Sequence, residues 1–312
     1  MKVFPTDVNQ LPVGGVCYDV TTQDGVRLRS VAVRQARAKA TVIILGGRAE
    51  YVERYFETVN DLSARGMAVV CFDWRGQGGS QRLLANPLRG YVKSFADYDK
   101  DLEAIIGLAQ RLDYPKPYYA LAHSTGGQVL LRALRDKNWF ARAVISAPLM
   151  DFRYGRWPLP VVRVLNFLMV VFGFGWVFLP GYGRGPLRRD EFENNPLTSD
   201  RGRWNRDMET LEMAPQLGIG GPTYGWLRAA MKSFDDLRRW PRGKGPVCPT
   251  MIVAAGQDRV VDTAATREFV GRVPGFTFLT IDDSRHEILM ENNMIRAKFF
   301  AAFDTFLGLT KD

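Results

Sequence analysis

Ser124 stands in the run Ala122-His123-Ser124-Thr125-Gly126-Gly127, between an apolar stretch and one with helical spacing. Small residues two places to either side of a serine permit a sharp strand-to-helix turn that leaves the hydroxyl exposed at the head of the helix. This is the G-x-S-x-G nucleophile elbow, with Ala122 in place of the first glycine. Alanine adds only a methyl group, and Gly126 keeps the close approach of helix and strand. Taken alone, Ser124 would serve equally well as a helix N-cap. A serine hydroxyl is a poor nucleophile at neutral pH and needs a base that takes its proton, a task suited to histidine. The chain has two histidines. His123 adjoins Ser124 on the backbone and is expected to point away from it and pack beside the elbow. His286, in the polar run Asp283-Ser284-Arg285-His286-Glu287, is therefore the candidate base, although a lone loop histidine is commonly just solvated. The base in turn needs a carboxylate on its other ring nitrogen. Asp258, just past an apolar run, gives the chain order Ser, Asp, His found in sheet-borne hydrolases; Asp262, Asp282 and Asp283 are rivals for that role.

Attack on a carbonyl creates an oxyanion, which needs two backbone N–H donors. The amide of Thr125 is one candidate. The other is the amide of Arg48, in Gly46-Gly47-Arg48, where two glycines let the backbone approach a substrate or simply form a tight turn. The Arg48 side chain suits a phosphate head group beside the acyl-transfer site, although most loop arginines are merely solvated.

The elements that must position these residues alternate. Apolar, β-rich runs at 41–45, 67–74, 118–122, 143–147, 250–255 and 276–281 read as strands. Helical spacing marks 50–65, 128–135, 263–272 and a last helix carrying Ile295, Phe299, Phe303 and Phe306. Such alternation predicts an α/β fold with a mainly parallel central sheet covered by helices on both faces. Between residues 150 and 249 it gives way to a stretch rich in Arg, Trp, Pro and Gly. An insertion leaving the sheet edge where active sites lie is placed to roof the site.

With 312 residues, 46% hydrophobic and 24% charged, the chain is long enough for a large core and has the composition of a folded globular protein. Forty-two Lys and Arg residues against 33 acidic ones give a net charge of +9. The excess is scattered, and neither zinc spacing nor basic and aromatic alternation accompanies it, so nucleic acid is not an expected partner. Cys17, Cys71 and Cys248 are odd in number and widely spaced, which fits a reducing compartment. Residues 1–20 contain Asp7 and Asp19 and no continuous apolar core. A secretory signal is not expected there, and a cytoplasmic location is.

With these residues in hand, the chain resembles the α/β-hydrolase superfamily, and within it the monoacylglycerol lipase and lysophospholipase L2 group. The likeness is carried by Gly46-Gly47-Arg48-Ala49-Glu50 with Arg54-Tyr55, by Asp73-Trp74-Arg75-Gly76-Gln77-Gly78-Gly79-Ser80, and by the elbow at Ser124. Gly256-Gln257-Asp258-Arg259-Val260 and Ser284-Arg285-His286-Glu287 complete it, with Phe95, Tyr98, Asp101 and Leu102 ahead of the elbow strand. Two positions depart from the group, which has histidine where Gly46 and Gln77 stand here. The resemblance implies an α/β-hydrolase fold, a Ser124–Asp258–His286 triad, no metal or organic cofactor, and single-chain glycerolipids as substrates.

Residues 164–179 carry no formal charge and are rich in Phe, Val and Leu, with Arg153, Arg156 and Arg163 before them and Arg184, Arg188 and Arg189 after. The run is too short to span a bilayer, which takes ~20 apolar residues. It reads either as a buried cap helix or as an interfacial element meeting an anionic membrane, and both allow it to line an acyl-chain pocket. Gly47, Phe167, Phe172 and Trp176 are the expected substrate contacts. The expected organisation is a hydrolase core at 1–150 and 241–312 with a mostly helical cap at 151–240. The expected chemistry is cleavage of a carboxylic ester through an acyl-Ser124 intermediate. A proline iminopeptidase-like amidase with the same triad, and a non-catalytic relative that binds a lipid or a partner protein, remain alternatives.

Overall fold

The computed structural model describes residues 1–152 and 158–309. Its centre is one eight-stranded sheet, formed by β1 (Gly15–Thr21), β2 (Arg27–Val33), β3 (Thr41–Leu45), β4 (Ala68–Phe72), β5 (Tyr118–His123), β6 (Arg142–Ser146), β7 (Thr250–Ala255) and β8 (Phe276–Ile281). The order is β1-β2-β4-β3-β5-β6-β7-β8. From β4 to β8 every neighbouring pair is parallel. β3 (TVIIL) and β4 (AVVCF) are buried at every position, as parallel strands covered on both faces must be. The antiparallel edge β1–β2 lies outside the sequence expectation: β1 alternates polar and apolar residues and is largely part-exposed, a weak signal beside the continuous apolar runs.

One face of the sheet is covered by α2 (Phe95–Arg111), α3 (Thr125–Ala133) and α7 (Thr263–Arg272), the other by α1 (Phe56–Ala64) and α8 (Asn293–Leu307). The helix expected over 50–65 begins instead as a 3₁₀ turn, Val52–Tyr55, and becomes α-helical only at Phe56. The cause is a buried ion network. Asp73 accepts the Val52 amide at 2.8 Å, and Arg29 joins Asp73 and Glu53 at 2.6 Å each, all with fully buried side chains. Orphaning one member of such a set costs about 3–5 kcal/mol, so the network fixes residues 50–53 more firmly than helix propensity does.

The chain leaves the sheet after β6 and returns at β7. The described part of this stretch holds α4 (Leu159–Val171), α5 (Arg201–Met213) and α6 (Tyr224–Arg238). α6 buries Trp226, Ala230 and Phe234 in the same core as α2 and α3, and α4 packs on α6, where Asn166 donates to the Tyr224 carbonyl at 2.9 Å. The stretch leaves the carboxyl end of β6 at Ser146, which pairs with Val253, and returns at the amino end of the neighbouring β7, where Thr250 pairs with Ala143.

Candidate active site

β5 ends at His123, and the chain turns at once into α3. Ser124 sits on the turn with φ 49° and ψ −114°, a conformation that costs a non-glycine residue about 1–3 kcal/mol and recurs at functional positions. Its amide donates to the Ser146 carbonyl at 3.1 Å, and its own carbonyl accepts from Gln128 and Leu149. Gly126 is obligatory here, because a Cβ would overlap the carbonyl oxygens of Leu45 and Gly46.

His286 Nε2 lies 3.1 Å from Ser124 Oγ, and its Nδ1 lies 2.7 Å from Asp258 Oδ2. All three residues are buried. Asp258 comes three residues after β7, and its second oxygen accepts the Val260 and Val261 amides at 2.8 and 3.0 Å. Burial pushes this carboxyl up, but the bond and charge of His286 together with the Val260 and Val261 amides outweigh it and the group lies below its ordinary value. Ionised Asp258 thus calls for the Nδ1–H tautomer, which turns the Nε2 lone pair toward the serine. Of the rival carboxylates, Asp262 caps α7 by accepting the Ala264 amide, Asp283 pairs with Lys298, and the side chain of Asp282 is exposed.

The amides of Arg48 and Thr125 make no hydrogen bond to protein among the described residues. Gln77, which stands where the resembling group has histidine, holds the Arg48 loop: it donates to the Gly47 and Glu50 carbonyls at 2.8 and 3.0 Å and accepts from the Ala49 amide at 3.2 Å. Trp74 Nε1 adds a bond to the Gly46 carbonyl at 2.7 Å. Gly47, expected to touch substrate, has both its polar groups engaged within the protein, the amide by Glu50 and the carbonyl by Gln77. Phe167, Phe172 and Trp176 are 45%, 70% and 41% exposed, so they form an outward apolar surface rather than part of the buried triad cluster.

Below the triad the structure assembles a second polar cluster. His123 Nδ1 lies 2.7 Å from Glu50 Oε1, and its ring is 4.8 Å from that of His286. Burial pushes the imidazole down and Glu50 pulls it above its ordinary value, while the same contact holds Glu50, despite its burial, at about 2. Arg54 joins Glu287 at 2.6 Å and Asp207 of α5 at 3.2 Å. In the sequence His123 offered only packing beside the elbow. The signal lay in Glu50 and Arg54, whose type suits a buried position only if each finds an opposite charge. Among the described residues no group of three or more His, Cys, Asp or Glu side chains is arranged to hold a metal ion.

The family described as serine aminopeptidase, S33 (Hydrolase_4) matches residues 36–293. The chain belongs to this family of α/β-hydrolases. It is 32% identical over 302 residues to lysophospholipase L2 of Escherichia coli strain K12, covering 89% of this chain and 83% of that protein. The monoacylglycerol lipase of Mycolicibacterium smegmatis is 24% identical over 267 residues, covering 84% and 82%. Among solved structures, a soluble variant of monoglyceride lipase from Saccharomyces cerevisiae superposes with a TM-score of 0.74 over 99% of this chain and 100% of that one, at 18% identity. Arg48, Ser124, Asp258 and His286 all follow the carboxyl ends of their strands, β3, β5, β7 and β8.

Proposed function

We propose that this chain is a serine hydrolase that cleaves the carboxylic ester of single-chain lipids, lysophospholipids above all. The observation that carries this reading is the line Ser124 Oγ, His286 Nε2, Nδ1, Asp258 Oδ2, at 3.1 and 2.7 Å. Ser124 Oγ attacks the ester carbonyl carbon as His286 takes its proton, and Asp258 stabilises the imidazolium so formed. The oxyanion accepts from the Arg48 and Thr125 amides. Collapse breaks the C–O bond, and the leaving alcohol takes the proton from His286. Water then repeats the sequence on the acyl-serine, releasing the fatty acid. No metal or organic cofactor is required.

Two features support a lipid substrate with a charged head. Arg48, in the loop after β3, is a cation with no carboxylate partner among the described residues. The segment 151–240, read as a cap over a core of 1–150 and 241–312, carries the exposed apolar face of α4 and its sequel: Val164, Leu165, Phe167, Val171, Phe172 and Trp176. A face of this kind suits peripheral contact with a membrane. No helix among the described residues is long and apolar enough to cross one. Three of the four flanking arginines among the described residues are paired, Arg163 with Asp235, Arg188 with Asp190 and Arg189 with Glu212, Arg184 being the exception. Arg153 and Arg156 lie outside the described residues. Apolar burial, more than charge, is therefore the driving term for that contact.

An aminopeptidase would need a carboxylate free to hold a substrate amine. Asp190 and Glu193 instead pair with Arg188 and Arg201 on the exposed surface, and Glu191 accepts the Arg188 amide at 2.8 Å, which leaves Glu209 on α5, without a salt bridge among the described residues, as the candidate for that role. The deciding experiment sets lysophospholipids, monoacylglycerols and a chain-length series of p-nitrophenyl esters against aminoacyl anilides, with a fluorophosphonate probe on wild type and Ser124→Ala. Ester turnover with labelling lost in Ser124→Ala is expected. Faster anilide turnover would favour the peptidase, and a chain that neither labels nor turns over esters would be a binding protein.

A further inference from the structure

Both ring nitrogens of His123 face acceptors: Nδ1 meets Glu50 Oε1 at 2.7 Å, and Nε2 meets the backbone carbonyl of His286 at 3.3 Å. A neutral imidazole has one N–H, so satisfying both contacts requires the doubly protonated cation. That cation is tilted 53° against the His286 ring with centroids 4.8 Å apart. Glu50 is held in turn by the Gly47 amide and the Tyr55 hydroxyl. One buried carboxylate thus touches the loop that offers the Arg48 amide and, through His123, both the elbow and the backbone of the base. The adjoining cavity, of about 20 Å³, has room for little more than one water, so the pair serves the protein's own groups and not a substrate.

We propose that the Glu50–His123 ion pair is a positioning device for the reaction. It fixes the loop that carries His286, and it sets a standing positive charge against a second charge forming on that neighbouring ring. The inference rests on reading His286 as the general base. The groups facing the two imidazoles are Asp258 from the loop after β7, Ser124 from the elbow, Glu50, Arg54 and Tyr55 from the loop after β3, and Glu287 beside His286. Asp207 reaches the cluster from α5 through Arg54. Arg54 is present with or without the histidine charge, so the change on removing His123 is the loss of one cation beside the base, with Glu50 left uncompensated.

The test is the pH dependence of kcat/KM on a soluble p-nitrophenyl ester for wild type, His123→Gln and Glu50→Gln, with thermal unfolding as the check on folding. Loss of the cation makes the base easier to protonate, so in His123→Gln the acid limb moves to higher pH by between about half a unit, the scale of one charge at this separation in bulk water, and about 2.5 units, its scale near a protein surface. KM should change little. Glu50→Gln, of nearly the same shape, removes the partner that keeps the histidine charged and should move the limb in the same direction; it carries the test if His123→Gln does not fold. A folded variant that loses kcat equally at every pH, with the limb unmoved, overturns the proposal. Wild type that shows no ester turnover and no probe labelling overturns instead the reading on which it rests.

Discussion

The Arg48 guanidinium lies 5.2 Å from the ring centroid of Trp226 and donates to the Gly220 carbonyl at 2.7 Å, while its Nε, sealed from solvent, donates to nothing among the described residues. Burial pushes the group down to about 10, so it is still a cation at neutral pH. A cation removed from water without a counter-ion is costly, and an anionic substrate group would supply one. Arg48→Ala keeps the backbone amide and so should spare the oxyanion. It is expected to lower kcat/KM for lysophospholipid about ten- to hundredfold, the loss of one charge-assisted contact, with monoacylglycerol cleavage changing far less. Equal losses on both substrates would remove the head-group role.

Asp258→Asn should reduce kcat by about 10⁴, because the amide favours the wrong tautomer of His286. Asp262→Asn removes only a charge from the cap of α7 and should leave activity within twofold. A steady-state comparison of the two variants distinguishes them, and the opposite ranking would move the carboxylate role to Asp262.

Stability should peak in a window set by the Glu50–His123 pair. Glu50 is held at about 2 against an ordinary 4.5, so its contribution is present above 4.5 and is lost as pH falls toward 2. His123 is raised above its ordinary 6.5, so its contribution is complete below 6.5 and is lost as pH rises through the folded value. The Tm difference between wild type and Glu50→Gln should therefore be largest between about pH 5 and 6.5, shrinking on both sides. A difference that is flat with pH would contradict the ion pair.

Phe172 is 70% exposed, so Phe172→Glu should fold normally. Vesicle co-sedimentation should weaken about tenfold or more, the scale of one aromatic side chain's transfer, while hydrolysis of a soluble ester stays within twofold. Unchanged sedimentation would mean that this face does not meet lipid.

How much could be read from the chain differs between its parts for physical reasons. With two histidines in the chain, the expectation that His286 is the base needed almost no structure. The runs at 41–45 and 250–255 coincide with β3 and β7 because strands buried on both faces tolerate little but apolar residues. The Glu50–His123–Glu287 cluster left no such trace: its members come from two separate loops and the end of β5, and only their three-dimensional neighbours make charges there tolerable. The apolar run after Val164 was ambiguous for the opposite reason, since periodicity does not tell a face turned to core from one turned outward. Here Asn166 faces the protein while Phe167 and Val171 do not.

The pairings of Ser146 with Val253 and of Ala143 with Thr250 mean that the excursion leaves the carboxyl end of β6 and returns to the amino end of β7, the two strands of one hydrogen-bonded seam. A graft that replaced the outer part of that excursion with the corresponding piece of another family member would leave the seam, and with it the spacing of Ser124 and Asp258, unaltered. On the reading of that stretch as a cap, what the enzyme accepts becomes exchangeable separately from how it breaks the bond.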